Sequence, residues 1–526
     1  MYHFTRKASR HESLRDRKSV QAYPIKERKV NPKPTGSLCY STVMSRILFV
    51  STPYHCGVVE VAGRWIPLQF CTLADAADRA GVEPVIYDAM STMVTHEDIE
   101  LVLKDMKPDY LGLSSITATL PDTLEVAAAA KRVSPGTRVI LGGVHPSFCP
   151  EEIFQTSDAV DFIVAGEGEM TLHELLSSLE AETDPSSVPG LVFRSDGNIV
   201  KTTPRSFLED LETYKARYDL LDWEPYKYFA IPGTRLGAIS TSRGCSHNCI
   251  FCSQQKFWKQ TWRPRDPQNV VKELEMLYSR YRVNVVLIGD EYPTSDRDRW
   301  IDLLERIRSL NHRDLYLLME TRVDDIVRDA DILSLYREAG IVHVYVGVEA
   351  TRQETLDYIK KDINVEMGRE ALRLLREHGF ISETSFVLGF PDETAETIEA
   401  TLELAHYYDP DFAHFLTITP WPYADLYNDV KDLIAVTDYR KYNLIDPILK
   451  PDAMTLDEVD LALVDCYRKF YARKFGAVMK EKDEFKRQYM IRSMQLIMKS
   501  SFIIDKLKRF PVWRARIEKM MKTWVS

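Results

Sequence analysis

Three cysteines crowd into the run Thr241-Ser-Arg-Gly-Cys245-Ser-His-Asn-Cys249-Ile-Phe-Cys252. Thiolates in CxxxCxxC spacing on a tight loop can each reach a different iron. The motif therefore suits three corners of a [4Fe–4S] cluster and leaves the fourth iron without a protein ligand. Structural zinc normally closes its sphere with four protein donors. His247, inside the loop, could supply the fourth, but its place between two cysteines makes tetrahedral closure awkward. The chain has eight cysteines in 526 residues. That is too sparse for a disulfide scaffold, and the clustering points to metal binding in a reducing, cytoplasmic setting.

A loop of this kind needs a rigid frame. It follows an apolar run at 236–242 (LGAISTS), the first of six strand-like segments; the others are 284–290, 315–321, 342–349, 382–390 and 411–419. Between them lie stretches with helical spacing, such as PQNVVKELEMLYSRY. Six βα units over 236–425 predict a partial (β/α)6 barrel with its chemistry at the strand C-termini. Ahead of it, apolar runs at 46–52, 84–90, 110–116, 138–143 and 162–169 alternate with helical segments. They predict an α/β fold, a doubly wound, flavodoxin-like parallel sheet over 44–180 with both faces covered. Such sheets bind ligands beyond the carboxyl ends of their strands. Ser114, Ser115, Thr117, Gly142, Gly143, His145, Gly166, Glu167 and Gly168 fall there. No Gly-x-Gly-x-x-Gly opens the first helix, which disfavours a nicotinamide or flavin dinucleotide. His145 reads either as a ligand contact or as a capping or packing histidine. Cys56, Cys71 and Cys149 read as small buried apolar residues.

Residues 1–43 are polar, basic and without periodicity, so they read as a disordered leader, with Met44 as an alternative start to Met1. Residues 181–235 read as a linker with a hairpin signal at Arg194–Asn198. Residues 426–526 read as an amphipathic helical region whose Met and aromatic stripes face a core. The formal charge is −10, with both ends net basic and the middle strongly acidic. That distribution argues against nucleic acid as a partner, and the basic ends allow a peripheral contact with an anionic membrane surface. No run is long and apolar enough for a transmembrane segment.

The cysteine loop at the end of a barrel strand resembles the radical S-adenosylmethionine (SAM) superfamily over about residues 235–420. The resemblance implies that the open iron is chelated by SAM, which is cleaved by one electron to a 5′-deoxyadenosyl radical that abstracts hydrogen from carbon. It implies that Phe251 packs near the adenine and that Gly289, Asp290 and Glu291 accept hydrogen bonds from the SAM ammonium. Glu320, Arg322 and Glu349 would hold ribose and carboxylate. These residue types fit their roles, since an ammonium needs acceptors and a carboxylate needs a fork-shaped donor. Gly389-Phe390-Pro391 is similar to a further family feature near the adenine, and a strand-ending turn explains it almost as well.

A doubly wound domain ahead of such a barrel resembles the cobalamin-binding domain of cobalamin-dependent radical SAM enzymes. The chain lacks the DxHxxG motif with which one cobalamin family ligates cobalt, so the lower cobalt ligand stays open. The stretches ILFVSTPYHCGVVEVAGRW, GGVHPSF, VAGEGE, PWPYADLYND and DYRKYNLIDPILKPDAMT look like the anaerobic magnesium-protoporphyrin IX monomethyl ester oxidative cyclase family. This implies radical closure of the isocyclic ring of (bacterio)chlorophyll, a six-electron oxidation with oxygen from water. It also implies a tetrapyrrole substrate and a one-electron donor such as flavodoxin or ferredoxin. Trp258, Trp262, Trp421, Tyr423 and Tyr427 are compatible with a flat tetrapyrrole and equally with ordinary packing. A cobalamin-dependent radical SAM C-methyltransferase would use the same cofactor sites, and a non-catalytic cobalamin or redox sensor is the alternative outside the enzymes.

Overall fold

The apolar runs of the N-terminal half become strands of one sheet in this computed structural model, which describes residues 44–54, 62–499 and 506. The strands are β1 (Arg46–Ser51), β2 (Glu83–Asp88), β3 (Tyr110–Ser114), β4 (Arg138–Gly142), β5 (Phe162–Val164), β6 (Leu191–Ser195) and β7 (Asn198–Lys201). The sheet order is β2-β1-β3-β4-β5-β6-β7. The first five strands pair in parallel in the flavodoxin-like order. Ile47, Leu48, Phe49 and Val50 are all buried. Ile47 and Phe49 join one apolar cluster while Leu48 and Val50 join another, as the two-residue period of a strand covered on both faces requires.

One expectation is corrected here and a second is extended. The segment 162–169 is a strand only to Val164; Gly166 then takes a left-handed turn, φ +85°, and Glu169 opens a helix. The hairpin inside the expected linker, β6–β7, adds two antiparallel strands to the edge of the sheet. The rest of that stretch is packed between sheets. Tyr226 Oη donates to Asp88 Oδ2 at the end of β2, and Tyr218 Oη donates to the Ala238 carbonyl of the barrel, both at 3.0 Å.

The second half holds β8 (Leu236–Ile239), a short antiparallel hairpin of β9 (Ser242–Gly244) and β10 (Trp262–Pro264), then β11 (Val285–Ile288), β12 (Tyr316–Arg322), β13 (Ile341–Glu349), β14 (Ile381–Leu388) and β15 (Phe412–Thr417). Six of them form an all-parallel sheet in the order β15-β14-β13-β12-β11-β8. This is an open barrel whose outer face is covered by helices. Trp300, on the helix Arg297–Ser309, is fully buried edge-on against Tyr336.

The helix Leu456–Val478 starts at a capping box of Thr455 and Glu458 and docks through Tyr471 Oη, which donates to the Ala413 carbonyl at 3.1 Å. The helix Glu484–Lys499 closes the N-terminal end of the barrel: the Tyr489 hydroxyl bonds His343 Nδ1 at 2.7 Å. Glu383 lies between His343 and His414; burial works against its charge, but the two imidazoles hold its carboxyl far below the usual range. Among the described residues no helix is long and apolar enough to cross a membrane. The basic leader and Cys56 lie outside the described residues.

Candidate active site

The cysteine loop runs from β9 to β10. Gly244 makes the turn possible: its φ is +92°, and a Cβ there would stand 2.2 Å from the Thr261 carbonyl oxygen. The loop is pinned from both sides, as Ile250 donates to the Ile359 carbonyl and Leu426 donates to the Ile250 carbonyl, each at 3.1 Å. Cys245, Cys249 and Cys252 are free thiols. Burial raises all three, and Cys252 reaches about 11; the Gln254 N–H points at its Sγ from 3.4 Å. Lys361 and Arg322 pull Cys249 the other way.

Ligation to iron requires the thiolate, and iron itself supplies the charge that removes the proton. Around one zinc ion, sulfurs bound at about 2.3 Å must stand within roughly 4 Å of one another. The three cysteines and His247 do not form such a convergent group; among the described residues only His145–Cys149–Glu152 and His96–Asp122–Glu125 do. The wider set fits a cluster in which each thiolate takes its own iron.

Facing the loop, the ends of β11 to β14 supply charge. Glu291 is held at both oxygens, by Trp258 Nε1 at 2.8 Å and the Gly244 N–H at 3.2 Å, and burial raises its carboxyl. Glu320 keeps solvent-accessible surface but stands among Glu291, Lys361 and Glu349 in the hollow of the barrel. Burial there, reinforced by Glu291, pushes it up to about 7. Arg322 grips Asp324 with Nε at 2.9 Å and donates to the Lys361 carbonyl at 3.0 Å. Glu349, in the left-handed region at φ +66°, accepts from Lys361 Nζ at 2.9 Å and from Ser385 Oγ at 3.1 Å. Gly347 makes room for that pair, since a Cβ there would meet Glu349 Oε1 at 2.2 Å.

Asp290 is placed differently from the expectation. It is 1% exposed and accepts from the Thr241 N–H and hydroxyl and from Ser242 Oγ at 2.6–2.7 Å. It braces the start of the cysteine loop from behind. Gly289 and Glu291 line the cavity described below, and Phe251 is half-buried against the core.

A cavity of about 760 Å³ opens between the first sheet and the barrel. Its wall on the sheet side includes Ser114, Gly142, Gly143, Gly166 and Gly168, and on the barrel side Gly289, Glu291 and Trp258. This volume lies in the range of small-molecule and cofactor pockets, and the small residues let a bulky ligand approach the backbone. Glu167 touches the same wall, but its carboxylate is spent on protein. It pairs with Arg243 (3.0 Å) and Arg263 (2.8 Å) and accepts the Leu208 N–H (2.9 Å). Arg243 also takes Glu169 at 2.7 Å. Glu167 is therefore a clamp between sheet and barrel, where the sequence suggested a ligand contact.

Three further expected contacts turn away from the cavity. Ser115 bonds the Ile116 carbonyl at 2.7 Å, while Thr117 and His145 bond each other and are fully buried. Of the aromatics, Trp262 Nε1 donates to the Tyr292 carbonyl and Tyr423 takes the Thr117 hydroxyl; Trp421 and Tyr427 are half-buried in the tail. Lys361, Arg243 and Arg263 escaped sequence reasoning. Lys361 reaches Glu349 from a loop whose local sequence carries no motif, so no signal was available to find it.

Comparison with known proteins gives two family matches, the Radical SAM superfamily over residues 239–405 and a B12 binding domain over 54–176. The anaerobic magnesium-protoporphyrin IX monomethyl ester cyclase of Rubrivivax gelatinosus is 35% identical over 87% of this chain and 83% of its own length. An uncharacterised methyltransferase of Pyrococcus horikoshii is 30% identical over 81% of this chain and 93% of its own. The solved cobalamin-dependent SAM radical enzyme OxsB, with aqua-cobalamin and SAM bound, shares the fold with a TM-score of 0.66 at 17% identity. That match covers 87% of this chain and 72% of the other.

Proposed function

The chain belongs to the radical SAM superfamily, in the branch that carries a B12 binding domain, and on that premise we propose that it closes the isocyclic ring of magnesium-protoporphyrin IX monomethyl ester without molecular oxygen. The carrying observation is similarity to a protein named for that reaction along 87% of the chain. The cofactors of this enzyme are a [4Fe–4S] cluster, SAM and cobalamin. When bound, they supply a carbon-centred radical strong enough to take hydrogen from an unactivated C–H bond, together with cobalt redox chemistry.

The division of labour among the chain's own residues follows from their positions. Cys245, Cys249 and Cys252 would hold the cluster. Glu291 and Glu320 would accept from the ammonium and ribose of SAM, with Trp258 keeping Glu291 in place. Arg322, whose Nη1 has no protein acceptor among the described residues, would donate to the SAM carboxylate. Lys361 neutralises Glu349 beside the cluster loop. The wall of Ser114, Gly142, Gly143, Gly166 and Gly168 would take cobalamin at the face of the cavity opposite Glu291.

In the proposed reaction one water enters and six electrons and six protons leave, so the product gains one oxygen atom and loses four hydrogens. A flavodoxin- or ferredoxin-type protein would deliver the electron that starts each SAM cleavage. We place the enzyme in the cytoplasm, where its basic ends allow a peripheral contact with an anionic membrane surface.

The methyltransferase reading is favoured by the Pyrococcus relative, which is covered over 93% of its length. One assay separates the two. Anaerobically reconstituted protein is incubated with SAM, a reductant and magnesium-protoporphyrin IX monomethyl ester in 18O-labelled water, and the product is weighed. An 18O-labelled ketone of the ring-closed type supports the cyclase; a product heavier by one methylene supports the methyltransferase.

A further inference from the structure

Beyond the end of β4 in the first sheet, His145, Cys149 and Glu152 bring a ring nitrogen, a thiol sulfur and a carboxylate oxygen within 4.8 Å of one another. His145 and Glu152 lie on two consecutive short helices after β4, Val144–Phe148 and Pro150–Thr156, and Cys149 is the residue that joins them, in His-x3-Cys-x2-Glu spacing. His145 is fully buried, yet its Nε2 has no hydrogen-bond partner; it stands 3.8 Å from Glu152 Oε2. A buried polar atom left unpaired is costly and calls for a partner.

The opposite ring nitrogen decides what Nε2 carries. Nδ1 lies 3.1 Å from Thr117 Oγ1, and the Thr117 hydroxyl donates its own proton to Tyr423 Oη at 3.2 Å. Thr117 therefore accepts from Nδ1–H, which leaves Nε2 with a lone pair, the state in which histidine ligates a metal. We infer that His145 Nε2, Cys149 Sγ and the Glu152 carboxylate form a binding site for one divalent ion of the zinc class, separate from the iron–sulfur loop.

Imidazole, thiolate and carboxylate together suit zinc, and three protein donors leave a fourth position for water or another ligand. The surroundings have the outer contacts that orient metal ligands. Thr117 fixes the imidazole, and the Tyr439 hydroxyl donates to Glu152 Oε2 at 3.2 Å. Burial raises the Cys149 thiol to about 12 in the metal-free protein, and a bound cation reverses that by coordinating the thiolate. Tyr423 follows the last barrel strand and Tyr439 lies in the C-terminal region, so the site joins both to the first sheet.

The test counts metals in two forms of the full-length protein. In the reconstituted holoenzyme, elemental analysis is expected to find about one zinc per chain beside the full complement of iron. In a form with Cys245→Ser, Cys249→Ser and Cys252→Ser, prepared without cobalamin, added Co²⁺ is expected to give a thiolate-to-cobalt charge-transfer band. Cys149→Ala abolishes that band. Thr117→Val, which leaves all three donors in place, weakens zinc binding about 10–100-fold. Substoichiometric zinc in the holoenzyme, no thiolate band in the triple variant, or a band that Cys149→Ala leaves unchanged (an adventitious ion only) would overturn the site.

Discussion

Trp258 shows how little separates a packing residue from a site residue. Its ring is 9% exposed, and its Nε1 orients Glu291 at 2.8 Å. Trp258→Phe keeps the packing and removes about 1 kcal/mol of hydrogen bonding; SAM affinity is expected to fall roughly fivefold by equilibrium binding, with the cluster spectrum unchanged. Lys361 carries more. Lys361→Met strands Glu349 as an unpaired buried carboxylate, for which about 3–5 kcal/mol of stability is expected to be lost in denaturant titration.

Glu320 makes the pH prediction at this scale. Its folded pKa, raised from 4.5 to about 7, means that the folded state holds the proton more tightly than the unfolded chain. Its contribution is favourable below about 4.5 and is lost as pH climbs to 7. Melting temperatures of the SAM-free protein and of Glu320→Gln, measured across that window, are expected to diverge, the variant gaining relative to wild type as pH rises. The cysteine triad was legible because its spacing is local. Asp290 and Glu167 meet protein partners because position at a strand end does not say which way a side chain faces, and in both cases donors distant in sequence hold the carboxylate; His145 takes the packing alternative against Thr117.

At the scale of elements, periodicity located the eleven expected strands within a few residues, since apolar runs buried on both faces leave little ambiguity. Where polar residues continue past the last ladder bond, as in 162–169 and 236–242, the strands stop short because the backbone turns to present those residues. The hairpin β6–β7 is signalled by the turn residues at 194–198, but its membership of the sheet depends on pairing with β5, a contact no local pattern encodes. Two elements carry predictions. Gly244→Ala forces a Cβ against the Thr261 carbonyl at the base of the cysteine loop; loss of bound iron and sulfide is expected while circular dichroism stays native. Glu167→Gln weakens the clamp to Arg243 and Arg263, and lower cobalamin retention on gel filtration is expected with the iron content unaffected.

Across the whole molecule, the described residues form one compact unit in which an apolar cluster runs from the first sheet through the 203–235 stretch into the barrel. That continuity is what sets the glycine-lined wall opposite Glu291 and makes one cavity from two sheets. The account rests on the cluster having an iron that no side chain of this protein occupies. Electron paramagnetic resonance of the reduced, reconstituted protein, recorded before and after SAM is added, tests this most directly. The account predicts a [4Fe–4S]⁺ signal that shifts on adding SAM, and loss of that response in Cys252→Ser. A well-formed signal that SAM leaves untouched would contradict it.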